Sequence, residues 1–280
     1  MHIACSYSVW SAGRRGRRLM EKIDLFLLGI GTGNPQHVTR QAEHMLRTAD
    51  IIMVPHKGKA KRDLADLRYQ ICQTLLGAEM PTVFEFALPE REAGKPYLVA
   101  VDDWHDAIAN IWTQTIQTAK IRSGQSVQRV ALLIWGDPCL YDSSLRIAAR
   151  LKPAPKVTVV PGITAVQALT AAHKIPLNTL GGAFIVTTGR RLSEQGLPPE
   201  VDTAVIMLDG QAAFNQLNRA NFDIWWGAYL GMPEQLLISG HLCDVADEIL
   251  EMRAKARAAQ GWIMDTYLLR RRSKKEQGKG

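Results

Sequence analysis

Three short stretches combine residue types and spacings suited to holding a large ligand at the ends of buried strands. The first is LLGIGTGNP, residues 27–35, where Gly29, Gly31 and Gly33 alternate ahead of Asn34 and Pro35. Glycines in that pattern let a flat group approach the backbone closely, although a plain turn between strand and helix would also use them. The second is LLIWGDPCLYDSS (132–144), which puts Gly136, Asp137 and Pro138 at the end of an apolar run with Tyr141 just beyond. The third, VVPGITAVQAL (159–169), again gives a strand, a Pro-Gly turn and a helix starting at Thr164 beside Ala165. Ligands of open α/β sheets bind at the carboxyl ends of strands, so the three turns together are candidates for one site.

Two nucleotide-binding patterns fail on the first loop. A dinucleotide fingerprint needs a third glycine where this chain has Asn34, followed by Pro35, and an acidic residue after the second strand, where it reads MVPHKGK. The common S-adenosylmethionine (SAM) fold matches G-x-G-x-G at 29–33 but wants acids where Leu27, Leu28 and Lys57 stand.

The elements that must position these turns alternate along the chain. KIDLFLLG (22–29), DIIMVP, TVFEF, RVALLIWGDP and KVTVVPG read as strands. TRQAEHMLRTA (39–49), with Thr39 as N-cap, RDLADLRYQICQTLLG, a long stretch from Tyr97 to Ile121, and Thr164–His173 read as helices. Such alternation predicts an N-terminal α/β domain with a mostly parallel sheet, because parallel strands need crossovers. Beyond it, AFIVTT, TAVIML, FDIWWGAYL, EQLLISG and WIMDTYLL are five strand-like runs with helices expected at about 211–219 and 243–258. Strands then outnumber crossovers, which predicts a mixed α/β domain. The expected division is a disordered leader (1–21, with Met20 a natural start), domains over 22–176 and 177–269, and a basic tail (270–280). Trp225 and Trp226, adjacent on a strand, point to opposite faces.

The net charge of +7 belongs to the ends: residues 1–22 hold five basic side chains against one acid, and 270–280 hold six against one. The body between keeps 23 basic and 25 acidic residues, which argues against nucleic acid as a partner. Cys5, Cys72, Cys139 and Cys243 are scattered without a C-x-x-C pair, so neither a metal nor a disulfide framework is expected, and a reducing cytoplasm fits. No apolar run approaches the roughly 18 residues of a membrane span.

In order, GIGTGNPQHVTRQAEHMLRTADIIMVP, GDPCLY, VPGITAVQAL, TAVIML and LGMPEQLLISGHL resemble the tetrapyrrole methylases, the SAM-dependent enzymes of cobalamin and siroheme synthesis, over roughly 22–269. The resemblance implies a two-domain homodimer joined through its C-terminal domains, with SAM folded between the domains and the first glycine loop facing the tetrapyrrole. Carried over by position, the donor contacts are Gly136, Asp137, Pro138, Tyr141, Thr164 and Ala165, then Met207, Leu208, Leu230, Gly240 and His241. Leu208 stands where relatives often have Met, and His241 replaces a usual hydroxyl. The substrate side takes Gly31, Thr32, Gly33 and Pro35, with Lys57, Lys59, Lys61 and Arg68 placed to hold carboxylates at the macrocycle rim unless they form only a solvated helix start. No metal is implied.

Within the family, KGKAKRDLADLRYQIC (57–72) and WWGAYLGMPEQLL look like the member that methylates precorrin-5 at C-1 and releases acetate. Acetate release needs a water and a proton acceptor; His56, Tyr69, Glu85 and Asp137 are open alternatives, while His37, His105 and His173 read as surface or capping residues. Another precorrin or uroporphyrinogen methylase and a non-catalytic tetrapyrrole-binding protein are the competing readings. A ribosomal RNA methylase would need a basic body.

Overall fold

Five parallel strands form the first sheet, in the order β3-β2-β4-β1-β5, in a computed structural model that describes residues 22–56, 63–92, 94–124 and 126–272. They are β1 (Asp24–Gly29), β2 (Ile51–His56), β3 (Thr82–Ala87), β4 (Arg129–Ile134) and β5 (Lys156–Val160). β1 and β4 are nearly all apolar because helices cover both faces of a parallel sheet. One covering layer holds α3 (Tyr97–Ser123) and the short α4 (Ser144–Ala148) over Leu25, Leu27, Val130 and Leu132. The other holds α1 (Arg40–Thr48) and α2 (Asp63–Leu76) over Phe26, Leu28, Ala131 and Leu133. Thr39 caps α1 by accepting from Ala42 N at 3.1 Å. Asp50 ties the β2 and β4 ends together by accepting from the backbone N–H of Gln128 and Arg129 at 2.9 and 2.8 Å.

The strand order creates a switch point. From β1 the chain crosses over β4 to β2, whereas from β4 it crosses over β1 to β5. The turns after β1 and β4 therefore leave in opposite directions and open a crevice at their carboxyl ends.

The second sheet runs β6-β7-β10-β8-β9 and is mixed. β6 (Phe184–Thr188) and β7 (Thr203–Met207) are parallel; β10 (Asp265–Arg271), β8 (Phe222–Ala228) and β9 (Leu236–His241) add antiparallel pairs. α7 (Leu242–Gln260) covers one face with Leu242, Ala246, Ile249, Arg253 and Ala256 at helical spacing. α5 (Ala165–His173), from the first lobe, covers part of the other: Val166 and Leu169 pack with Val205, Leu230 and Leu268. Apolar packing thus joins the two lobes.

Some expectations are corrected. The segment 211–219 is not an α-helix but two short 3-10 turns, Ala213–Gln216 and Arg219–Asn221. Ala212 is left-handed at φ 56°, which breaks a helical run there, and Asp209 holds the N–H groups of Gln211 and Ala213 in the resulting turn. A short helix that the pattern does not announce, α6 (Gly189–Gln195), supplies the crossover between β6 and β7; only Leu192 gives it an apolar anchor. Arg270 and Arg271, counted with the basic tail, lie in β10, stacked over Trp225 and Phe222. Residues 1–21 and 273–280 lie outside the described residues, as do Lys57, Lys59 and Lys61.

Candidate functional site

The three turns converge through their backbones. Gly31 and Gly136 form a two-residue antiparallel bridge, with Gly136 N donating to Gly31 O at 2.8 Å and Gly31 N to Gly136 O at 3.3 Å. A Cβ on Gly162 would lie 2.1 Å from Gly136 O and 2.8 Å from Gly29 Cα, and one on Gly29 would lie 2.5 Å from Gly162 N. Gly29 and Gly162 are therefore there so that strand ends can touch. Asp137 locks the same junction: Oδ2 accepts from Gly162 N at 2.9 Å and Oδ1 from Cys139 N at 2.7 Å. Both carboxylate oxygens hold loop N–H groups, which gives Asp137 a positioning role at the junction. Gly136 differs, because at φ 66° its missing Cβ would point into open space.

The first glycine loop also meets the second lobe. A Cβ on Gly33 would sit 2.7 Å from Met232 Cγ and Cε, and the His37 ring packs beside Gly231. On the side where a Cβ would stand, Gly33 faces Met232 and Gly31 faces the His37 Cβ. Pro35 begins a 3-10 turn capped by Asn34, whose side chain accepts from Gln36 N at 2.9 Å.

Opposite this loop the second lobe presents two residues in left-handed backbone, Leu208 at φ 53° and Tyr229 at φ 51°. For bulky side chains that conformation is strained, and such strain concentrates at ligand sites. Leu208 is 67% exposed, whereas Leu230 is 4% exposed and belongs to the core as well as to the wall. A buried network supports the Leu208 turn from behind. Asp209 accepts from Ala213 N at 2.7 Å and Tyr267 OH at 2.6 Å, its carbonyl accepts from Arg253 at 2.6 Å, and Arg253 Nε pairs with Asp265 at 2.8 Å. Trp226 Nε1 also donates to Asp265, at 2.8 Å. Burial pushes the Asp265 carboxyl and the Tyr267 phenol up from their ordinary values, against the pull of Arg253 on Asp265. Tyr267 stays a donor.

Between the lobes lies a cleft of about 290 Å3. Thr32, Trp135 and Ala165 line it from the first lobe; Met207, Leu208, Tyr229, Leu230, Met232 and Met264 line it from the second, with Asp209, Asp265 and Thr266 beneath and Arg257 and Ile263 on the same wall. Of the expected donor contacts it brings together Ala165, Met207, Leu208 and Leu230, with Gly136 and the buried Pro138 on the adjoining turn. Thr164 is spent on capping α5, accepting from Val166 N at 3.2 Å and bonding Gln167. Tyr141, left-handed like Leu208, donates to Val186 O at 3.1 Å and bridges the lobes.

Gly240 and His241 are a correction. Ala228, at the cleft end of β8, pairs with Leu236, while His241 pairs with Asp223 at the other end. Five residues of strand, about 17 Å, separate them from the cleft. The His241 ring meets Ala220 O at 3.2 Å instead. Of the histidines expected as surface or capping residues, His105 is instead buried beside Trp104, while half-buried His173, in the last turn of α5, contacts Trp226 O through Nε2 at 2.9 Å. Tyr69 donates to Glu85 at 3.2 Å, and burial with that carboxylate pushes its phenol up to about 12.

Arg68 stands next to the cleft rather than on an open rim. Its guanidinium donates to Leu133 O at 3.2 Å and Leu64 O at 3.0 Å and stacks 5.8 Å from the Trp135 ring. It has no ion-pair partner among the described residues. Burial lowers its pKa to about 10, against the pull of Asp142, so it remains a desolvated cation at neutral pH.

Residues 24–246 match the family model of the Tetrapyrrole (Corrin/Porphyrin) Methylases. The chain belongs to the tetrapyrrole methylases. This methylase is 45% identical over 252 residues to a Precorrin-6A synthase (deacetylating) of a Sinorhizobium species, covering 88% of this chain and 95% of the relative. Among solved structures, a cobalamin synthesis related protein (CobF) of Corynebacterium diphtheriae is 36% identical, with a TM-score of 0.72 over 89% of this chain and 99% of that one. A uroporphyrin-III C-methyl transferase of Thermus thermophilus complexed with S-adenyl homocysteine is 17% identical at a TM-score of 0.52, covering 88% and 96% of the two chains, and shows the shared fold. The methylase is thus a methyltransferase with the two-lobed α/β fold of its family.

The cleft fits a methyl donor on its own terms: apolar walls, open space at Gly136 and a strained, exposed Leu208. Sequence reasoning missed Trp135, Tyr229, Met232 and Met264. Trp135 alone carried a signal, standing directly before the Gly-Asp-Pro turn.

Proposed function

We infer that this methylase is a SAM-dependent C-methyltransferase of aerobic cobalamin synthesis that methylates precorrin-5 at C-1 with loss of acetate, giving precorrin-6A. The observation that carries this reading is an interlobe cleft with a strained, exposed Leu208 across from Thr32, in a chain 45% identical to a deacetylating precorrin-6A synthase. SAM supplies an electrophilic methyl on a sulfonium. The protein's part is to hold a ring carbon in line with it and to keep bulk water from the methyl while admitting the one water that acetate release consumes. Met207, Leu208, Leu230 and Ala165 form the donor side, with the Gly136–Pro138 turn closing it at the switch point. Thr32 borders the macrocycle, on a loop that Gly31, Gly33 and Pro35 shape. Arg68, a half-buried cation with no ion pair among the described residues, is suited to a carboxylate of the macrocycle, and Lys57 and Lys61 to others.

The same reading makes the protein a cytoplasmic homodimer without a metal. Free Cys72, Cys139 and Cys243 suit a reducing compartment, and the exposed Leu180 and Phe184 offer apolar surface on the second lobe. Incubation with purified precorrin-5 and methyl-labelled SAM tests the function. One labelled methyl per pigment and one acetate per turnover are expected; methylation with the acetyl group retained would point to another methylase of the family, and tight pigment binding without SAM consumption to a carrier.

A further inference from the structure

Thr32 is the residue whose chemistry the site leaves unexplained. It is 5% exposed, lines the cleft from the first lobe, and its Oγ1 has no hydrogen-bond partner. The other hydroxyl and carboxyl groups lining the cleft are committed. Tyr229 OH donates to Trp262 O at 2.6 Å and Thr266 Oγ1 to Ile206 O at 2.8 Å. Asp209 is saturated by Ala213 N, Gln211 N and Tyr267 OH, and Asp265 by Arg253 and Trp226. Around Thr32 the walls are Trp135, Ala165, Met232 and Leu230, so its hydroxyl sits in an apolar space where an unmade hydrogen bond is costly and a made one is strong.

The groups that meet at the reacting centre are a sulfonium methyl, a ring carbon and the acetyl carbonyl to be removed. Only the carbonyl oxygen accepts a hydrogen bond. We propose that the Thr32 hydroxyl is a catalytic group of the deacetylation: it donates to the acetyl carbonyl oxygen and stabilises the oxyanion formed when water adds there. This rests on the deacetylating reading above. Water adds to the acetyl carbon, losing a proton to solvent, and the carbonyl π pair moves onto the oxygen held by Thr32. As the oxyanion collapses, the bond to ring C-1 breaks, its electron pair stays with the macrocycle, and acetic acid leaves. That pair forms the new C–C bond to the methyl as the C–S bond breaks. The steps consume one water and one SAM and release one acetic acid, one S-adenosylhomocysteine and one proton, with no external oxidant or reductant.

Loss of one oxyanion donor costs about 100- to 1,000-fold in turnover. Thr32→Val keeps the shape and removes the donor; Thr32→Ser keeps the donor. With precorrin-5 and SAM, single-turnover acetate release should slow by about 100-fold or more in Thr32→Val and stay within about 5-fold of wild type in Thr32→Ser, by the same measure of a single donor. SAM affinity, measured by calorimetry without pigment, should change less than about twofold in both, a difference of under half a kcal/mol. Acetate release at the wild-type rate in Thr32→Val overturns the proposal, as does a SAM affinity that falls in step with the rate, which would put the hydroxyl on the donor. A wild-type protein that methylates precorrin-5 without releasing acetate would defeat the deacetylating reading first, and this role with it.

Discussion

Gly162 and Gly136 stand on neighbouring turns and differ in what lies beside them. A methyl on Gly162 would be driven into Gly136 O and the Gly29 backbone, which cannot move aside. Gly162→Ala should therefore lose at least about 3 kcal/mol of stability, in the range of severe packing errors. Gly136→Ala meets no protein atom and costs only its left-handed backbone, about 1–2 kcal/mol, yet puts a methyl into the proposed donor site. Calorimetric titration should find SAM binding at least about tenfold weaker, which is 1.4 kcal/mol. Equal melting losses in the two variants, or unchanged SAM affinity in Gly136→Ala, would contradict this division of roles. From the sequence, the three glycine turns were legible as a group, because strand, turn and helix follow in order. What each glycine faces was not: Gly29 meets Gly162, 133 positions along, and only the folded register brings them together. The same limit hid Gly33, whose neighbour is Met232 of the other lobe.

The turn after β7 depends on elements far from it in the chain. Asp209 is held by Tyr267 of β10 and Arg253 of α7, and this clamp backs the strained Leu208 beside it. Tyr267→Phe leaves a buried carboxylate one donor short, a loss of about 1.5–3 kcal/mol for a hydrogen bond to a charged group. Denaturant melts should report that loss, and SAM titration a several-fold weaker affinity as the Leu208 turn relaxes. Full stability in Tyr267→Phe would show that the clamp is not needed. The strands and long helices around this turn were readable because apolar periodicity is local. The turn itself was not: the expected helix at 211–219 gives way because Ala212 takes a left-handed conformation that its residue type does not announce. Gly240 and His241 were misplaced because antiparallel pairing carries β9 away from the cleft as the chain advances.

The described residues form two sheets, with α5 reaching from the first lobe onto the second, and the proposed site lies where the lobes meet. α5 rises from the first lobe and packs on the second sheet, so the first lobe's turns and the Leu208 and Tyr229 turns are held across a fixed gap. The near-neutral body agrees with a ligand held in that gap rather than along a basic surface. Composition and motif order were enough to read the two domains and the mixed second sheet; the depth of the cleft and its Trp135, Met232 and Met264 walls depended on lobe packing that no local pattern encodes. A crystal structure of the protein with S-adenosylhomocysteine bears most directly on the account. The account predicts the adenosyl group between Met207–Leu208 and Leu230, with Gly136 beside it and the Thr32 hydroxyl left facing the macrocycle space. An adenosyl group seated on Gly31 and Gly33, with Leu208 untouched, would contradict it.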